Sequence, residues 1–482
     1  MGRQQEVVLG VDSSTQSTKV VAVDLETGTI ASTGYAPHSG ADTQNPHDWW
    51  SALETAIHSA VSGDLIVRGM AIGGQQHGLV TLDADGQPVR PAPLWNNVDA
   101  APDAEGLNSA ADFAAEVGSR LVASFTIAKI AHLRRTDPDD LVRTRSICLP
   151  HDYLNLRLTG SLCTDRSEAS GSGWCSPSTN QIRRDLLALA AGPDFANSVE
   201  LPAVSGPAEI AGVLSTSAAS ALGLPAGIPI GPGAGDNAAA ALGIGGTLTE
   251  LCVSLGTSGV VYAVSESPAH DPSGEVAGFA DASGRFLPLA CMLNCTRVVG
   301  TLADMFNLSV PDALDIAAAA DPGADGLLLM PYLGGERTPN LPHATGLLTG
   351  LVTSNLGREH VLRAAVDGVA AGVAYCQQAL ARQGVARDNV TLVGGGSRHT
   401  AWQQAIADVT GLPVTVRGGG EHVARGTAIQ IAAIIRDEPV AQLADNWRPE
   451  VVAQASPRPG MHDAFRLLER QSIIARMKAR QP

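Results

Sequence analysis

The sequence predicts an α/β chain built twice over, two similar domains facing each other across a cleft. The first observation behind this is the opening stretch LGVDSSTQSTKVVAVD (9–24), two Val-rich runs joined by a knot of hydroxyl residues. The second is its echo, LCVSLGTSGVVYAV (251–264), with the same plan of apolar strand, Gly/Thr/Ser turn and Val-rich strand. The echo lies about half the chain downstream, and self-similarity at that spacing points to a duplicated fold. The third is length: 482 residues correspond to roughly two to four domains. A cleft between two such domains is a usual place for a small-molecule site.

In chain order, residues 7–12 and 18–24 read as strands from their β-branched content, with SSTQS a hairpin-length loop. DLETGTI turns into a third strand. Residues 47–61 carry apolar side chains at helical spacing, and LIVRGMAIGG is a strand ending in glycines. Residues 200–235 read as loop-rich, with five prolines. Helices are expected at about 236–243, 296–305 and 359–384. NVTLVGGGS (389–397) reads as a strand into a Gly-rich turn, followed by a helix over HTAWQQAIADVTG. The stretch after about 440 is polar and Pro-containing and predicts little.

Composition narrows the function. At 44% hydrophobic and 17% charged residues the chain is globular. It has no run approaching about 20 apolar residues, so no membrane span is expected. The start, MGRQQEVVLG, lacks a signal-peptide pattern. The seven cysteines form no CxxC pair, so free thiols in the cytoplasm are expected and no zinc site. A net charge of −16 speaks against a broad nucleic-acid surface. An anion could still bind where backbone N–H groups and a cation gather.

The opening turn fits that description. Ser14 and Thr15 offer donors suited to phosphate oxygens, Asp12 at the strand end suits a hard cation such as Mg²⁺, and Lys19 begins the next strand. An ordinary turn would use the same residue types. The repeat at Gly256, Thr257 and Ser258 strengthens the phosphate reading, since two such turns can hold one polyphosphate. No GxxxxGK[ST] string is present, so the chain is not a P-loop NTPase. Asp236, in GAGDNAAAALG, precedes an Ala-rich stretch. It reads either as a helix N-cap or as a carboxylate that accepts a proton near a helix N-terminus. The same stretch matches GxGxxA, but it follows the Pro-broken LPAGIPIGP rather than a clean first strand, which argues against a dinucleotide site. Gln76 and His77 sit in a Gly-bounded turn after a strand, a placement open to a structural turn or to hydroxyl recognition. Gly395 and Gly396 belong to a three-glycine run that lets a flat group approach the backbone.

Four stretches carry a resemblance over roughly residues 7–437: GVDSSTQSTK; GGQQHGLVTLD with PLWN; GAGDNAAAALG; and PYLGGERTPNLPHATGLLTGL continuing to REHVLRAAVDGV. The chain resembles the FGGY carbohydrate kinases, and QHG, LPHDYLNLRLTG, NCTRV and GERTPN resemble the xylulose kinases among them. The resemblance implies a duplicated actin/hexokinase-like (ribonuclease H-like) ATPase fold with two domains and an interdomain cleft. It implies a sugar-binding domain over 1–247, an ATP-binding domain over 248–440 and a C-terminal tail over 441–482. It implies ATP and Mg²⁺, with Asp236 as catalytic base and Asp12 as metal carboxylate. It places Gln76, His77, Asp236 and Asn237 on the sugar, and Ser14, Thr15, Lys19, Gly256, Thr257, Ser258, Gly395 and Gly396 on the nucleotide. The expected reaction is phosphorylation of D-xylulose to the 5-phosphate. Expected partners are the sugar and ATP, with no nucleic acid and no membrane; a homodimer is common in the family.

Three features depart from the family pattern. Gln76 stands where many xylulose kinases have Met. Trp95-Asn96-Asn97-Val98-Asp99 replaces W-N-D-x-R, and His132 stands where the family has Trp. All lie on the sugar side, so another ketose or polyol, such as ribulose or an alditol, is the rival substrate. A non-catalytic sugar sensor on the same fold is a remoter rival, since no helix-turn-helix precedes the first strand.

Overall fold

The computed structural model describes residues 5–246 and 248–480. Two seven-stranded sheets dominate it. The first comprises β1 (Gln5–Ser13), β2 (Ser17–Asp24), β3 (Ile30–Pro37), β4 (Leu65–Gly74), β5 (Gly212–Val213), β6 (Pro229–Ile230) and β7 (Ala234–Gly235). The second comprises β8 (Glu250–Leu255), β9 (Gly259–Tyr262), β10 (Ala277–Ala280), β11 (Phe286–Met292), β12 (Asn389–Val393), β13 (Val414–Arg417) and β14 (Val451–Ala455). The first runs β5-β6-β4-β1-β2-β3, with β7 also on β4, and the second β10-β11-β9-β8-β12-β13-β14. The shared part is an antiparallel hairpin (β1–β2, β8–β9) whose first strand pairs in parallel with a later one (β4, β12). The duplication inferred from the echo at 251–264 is therefore real. The expected boundary at 247/248 falls at Thr247, outside the described residues.

Burial explains the continuous apolar runs. In β1, Val7, Leu9 and Val11 face a core with Trp49, Leu53 and Ile57 of helix α1 (Pro46–Ala60), while Val8 faces the other core. A strand buried on both faces loses the polar alternation of a half-exposed one. The helices used below are α2 (Arg166–Ser170), α3 (Asp236–Gly243), α4 (Arg358–Arg382), α5 (Thr400–Thr410) and α6 (His422–Arg436). In the second sheet, Leu251, Val253 and Leu255 pack with Val366 and Val369 of α4 and Trp402 and Ile406 of α5.

The halves share one core. Val8 and Ala71 of the first sheet, Ala238, Ala239, Ala241 and Leu242 of α3, Cys252 and Tyr262 of the second sheet, and Ala424, Ala428 and Ile429 of α6 belong to a single buried cluster. Late in sequence, α6 packs onto the first sheet, where Thr427 Oγ1 accepts the Val11 N–H at 3.1 Å. Small residues permit the approach: a Cβ on Gly10 would lie 1.8 Å from the Ala424 carbonyl oxygen, and one on Gly426 1.8 Å from that of Ala239.

The predicted elements are found within a residue or two. The loop-rich segment 200–235 also contains a short helix, Thr216–Leu222. After residue 440, β14 pairs with β13 at the edge of the second sheet. No helix among the described residues is long and apolar enough to cross a membrane. All seven cysteines are free.

Two glycines should respond oppositely to alanine. Gly10→Ala should lower stability by about 1–3 kcal/mol by overpacking against α6. Gly106→Ala, on an exposed helix with nothing within 4 Å of its Cβ, should raise it by about 0.5–1 kcal/mol. Urea denaturation midpoints of the two variants measure both.

Candidate active site

Three parallel strands end at one level. Asp12 of β1 pairs with Gly73 of β4, and Ala234 of β7 pairs with the same Gly73; Ser13 and Gly235 both pair with Gly74. At two strand spacings, Asp12 and Ala234 are about 10 Å apart. The chain leaving β4 gives Gln76 and His77, and the chain leaving β7 gives Asp236 and Asn237. In open α/β sheets ligands bind beyond the carboxyl ends of strands.

Asp236 is the first residue of α3, with Gly235 at the N-cap and no side-chain cap bond. Capping therefore does not explain it. Asn237 donates both its backbone N–H (2.7 Å) and its amide (2.8 Å) to Asp236 Oδ1. Burial nevertheless raises the Asp236 carboxyl to about 6. Asp12 is buried, its Oδ1 has no hydrogen-bond partner, and burial lifts it to about 7; Lys19 opposes the rise while Asp236 and Glu421 add to it. Two carboxylates without a matching cation, one carrying an orphaned oxygen, fit a divalent ion. Among the described residues no group of three or more His, Cys, Asp or Glu could hold one alone. One or two carboxylates completed by phosphates and water is the donor set Mg²⁺ prefers.

The Gln76–His77 pair is tightly held. His77 adopts a φ of 68°. Its Nδ1 lies 2.7 Å from the Gly171 carbonyl oxygen. A carbonyl can only accept, so Nδ1 carries the proton and Nε2 remains an acceptor. Burial, with help from the Lys129 charge, lowers His77 to about 3 and keeps it neutral. The ring lies 4.8 Å from Phe125 and 5.5 Å from Phe279, the latter from the second half. Gln76 donates to the Ser167 carbonyl at 3.3 Å and packs so closely on Gly235 that a Cβ there would lie 2.7 Å from its amide nitrogen.

In the opening turn, the Ser14 N–H donates to the Ser17 carbonyl at 3.0 Å. The Thr15 hydroxyl accepts from Trp95 at 2.8 Å and reaches Gln75 at 3.3 Å. Lys19 lies opposite Asp12 across the hairpin and pairs with Glu421 at 2.9 Å. At the matching end of the second sheet, Gly256 to Ser258 turn between β8 and β9, anchored where the Thr296 N–H donates to the Gly256 carbonyl at 3.0 Å. Gly394 packs its backbone on Leu255, while a Cβ on Gly395 would meet open space. The two phosphate-type turns sit on separate sheets, and among the described residues no hydrogen bond joins them.

Sequence reasoning missed several neighbours. Glu421, in GGGEH, has a left-handed backbone and engages Lys19. The segment 165–171 holds Gln76, Gly235 and His77. Glu168 within it is fully buried with both oxygens unpartnered, and burial together with Asp165, Asp152 and Asp236 holds its carboxyl well above the usual range. The triple-glycine run before Glu421 was the available signal for the first. Nothing in TDRSEASG marks the second. The departures Asn97, Asp99 and His132 line one cavity of about 90 Å³, together with Thr81, Arg90 and Lys129. The Lys129 amine donates to the His77 carbonyl at 3.0 Å.

Comparison with known proteins places these residues in a family. The model of the N-terminal domain of the FGGY family of carbohydrate kinases matches residues 7–243, and that of its C-terminal domain residues 251–434. The xylulose kinase of Streptomyces rubiginosus is 43% identical over 450 residues, covering 92% of this chain and 90% of that protein. That of Streptomyces coelicolor is 42% identical over 452 residues, with the same coverage of both. The crystal structure of xylulose kinase from Bifidobacterium adolescentis superposes with a TM-score of 0.87 at 34% identity, covering 97% of this chain and all of that one. With both halves matched and the duplicated sheets in place, the chain belongs to the FGGY family of carbohydrate kinases.

Proposed function

We propose that the protein transfers the γ-phosphoryl group of ATP to the terminal hydroxyl of D-xylulose, giving D-xylulose 5-phosphate. The observation that carries this reading is the common level of β1, β4 and β7, which gathers Asp12, Gln76, His77 and Asp236 at one set of strand ends. The Streptomyces and Bifidobacterium relatives supply the sugar.

The chemistry follows from the groups present. Neutral His77 offers Nε2 to a sugar hydroxyl, and Gln76 and Asn237 offer amides. Asp236 orients the terminal hydroxyl and accepts its proton as the oxygen attacks phosphorus. The transition state is loose in most analyses, so orientation matters more than base strength. A carboxylate near 6 is ionised at neutral pH and suffices. The Ser14–Thr15 turn, Lys19, the Gly256–Ser258 turn and the Gly395–Gly396 loop, open at Gly395, hold the nucleotide. Asp12 would hold Mg²⁺, which would offset the negative charge of the phosphates. Closure of the halves over the sugar excludes water, so ATP turnover without sugar should be slow.

The cavity at Asn97, Asp99 and His132 favours a second reading, another ketose or polyol, because Lys129 links that cavity to His77. ADP release with MgATP and a panel of ketoses, aldoses and polyols decides between them: D-xylulose should give the highest kcat/KM, and a higher value for ribulose or an alditol would select the rival.

Asp236→Asn should lower kcat by about 10²–10⁴-fold with little change in the sugar KM. Asp236 must be ionised to accept a proton, so kcat/KM at saturating MgATP should fall as pH drops through about 6. His77 is already neutral above about 3, so it should add no second limb between pH 5 and 8. His77→Ala should raise the sugar KM by about 10-fold or more, the loss of one or two hydrogen bonds to a neutral partner. Steady-state kinetics across pH checks all three.

A further inference from the structure

The geometry points to Ser167 as a positioning residue for the phosphoryl-transfer step, acting through the backbone that carries Asp236. This rests on Asp236 being the base. Ser167 is fully buried on α2. Its hydroxyl has one proton to give and lone pairs to receive. The proton is given to Asp165 Oδ2 at 2.6 Å, and the same oxygen receives the Ser167 N–H at 2.6 Å. That double hold fixes the hydroxyl with its acceptor side outward. There it receives the backbone N–H of Gly235 at 2.9 Å. Gly235 is the N-cap of α3, and Asp236 is the next residue. Asp165, Ser167, Gly235 and Asp236 thus form one chain of contacts, and the serine sets where the helix begins.

The contacts to sugar-side groups run through different atoms of the same segment. Gln76 is held by the Ser167 backbone carbonyl, and His77 by that of Gly171. Neither needs the hydroxyl. The segment is also pinned from the second half, where the Ala280 N–H donates to Ser170 Oγ at 3.0 Å. Removing the hydroxyl therefore frees the Gly235 N–H and lets Asp236 drift while sugar recognition stays. A misplacement of about 1 Å in a reacting geometry can cost about 100-fold in rate.

Ser167→Ala should lower kcat by about 10- to 100-fold. The KM for D-xylulose should stay within about threefold, and the acid limb of kcat/KM should stay in place, because the carboxylate itself is unchanged. Ser167→Cys, which fills the site with a slightly larger group that is a poor acceptor, should show the same split and serves as the readout if the alanine variant does not fold. A kcat within twofold of the native value, or a loss confined to KM and thermal stability, would overturn the proposal. Asp236→Asn is measured beside them. High activity in that variant would contradict the base assignment itself; an inactive Asp236→Asn beside a fully active Ser167→Ala would overturn only the positioning role.

Discussion

The parallel register of β1, β4 and β7 is the constraint on which the site depends. A slip of one residue in a strand turns every side chain to the opposite face. Here that would send Asp12 into a core and carry Asp236 away from Gln76. The register is secured from both faces, by α1 with its tryptophans on one side and by α6 on the other. The second contact is unusually close because Gly10 and Gly426 carry no Cβ. Since α6 belongs to the second matched half, the two halves share one core beside the site rather than meeting only at its rim. The packing of α3 against α6 is what joins them there.

The electrostatics of the site are unbalanced in a purposeful direction. Asp12 and Asp236 are both raised by burial, Glu168 behind them is raised further, and Lys19 is already shared with Glu421. An excess of carboxyl groups of this kind disfavours a bare anion and favours one that carries a cation. His77 is pushed the opposite way and stays neutral, so it adds no charge to this region. The strand ends thus carry raised carboxyls at Asp12 and Asp236 beside a neutral His77.

Much of this was legible in the sequence. The hairpin at 9–24 and its echo revealed the duplication, because β-branched runs and hydroxyl turns are local signals. Asp12 stood out because it closes a strand before a hydroxyl-rich turn, and His77 and Asp236 because each follows a strand beside a glycine. What stayed hidden was non-local. Nothing in HVARGTAIQIAAIIR says that it crosses to the first sheet; only the Cβ distances at Gly10 show why glycine stands there. Residues 165–171 are polar with no motif, and their contacts to Gln76 and His77 run through backbone carbonyls, which any residue possesses. Glu421 acts from a left-handed position that its side chain does not advertise.

Asn97 Nδ2 bonds Asp99 Oδ2 at 3.0 Å and His132 bonds Asp103 at 3.2 Å, so these departures have hydrogen-bond partners within the chain. The account stands most directly on where the phosphate ends up. Phosphorus–proton correlation spectroscopy of the product formed from MgATP and D-xylulose should show phosphorus coupled to the protons on C5, with one ester per ADP released. Phosphate on another carbon, or inorganic phosphate without any ester, would contradict it.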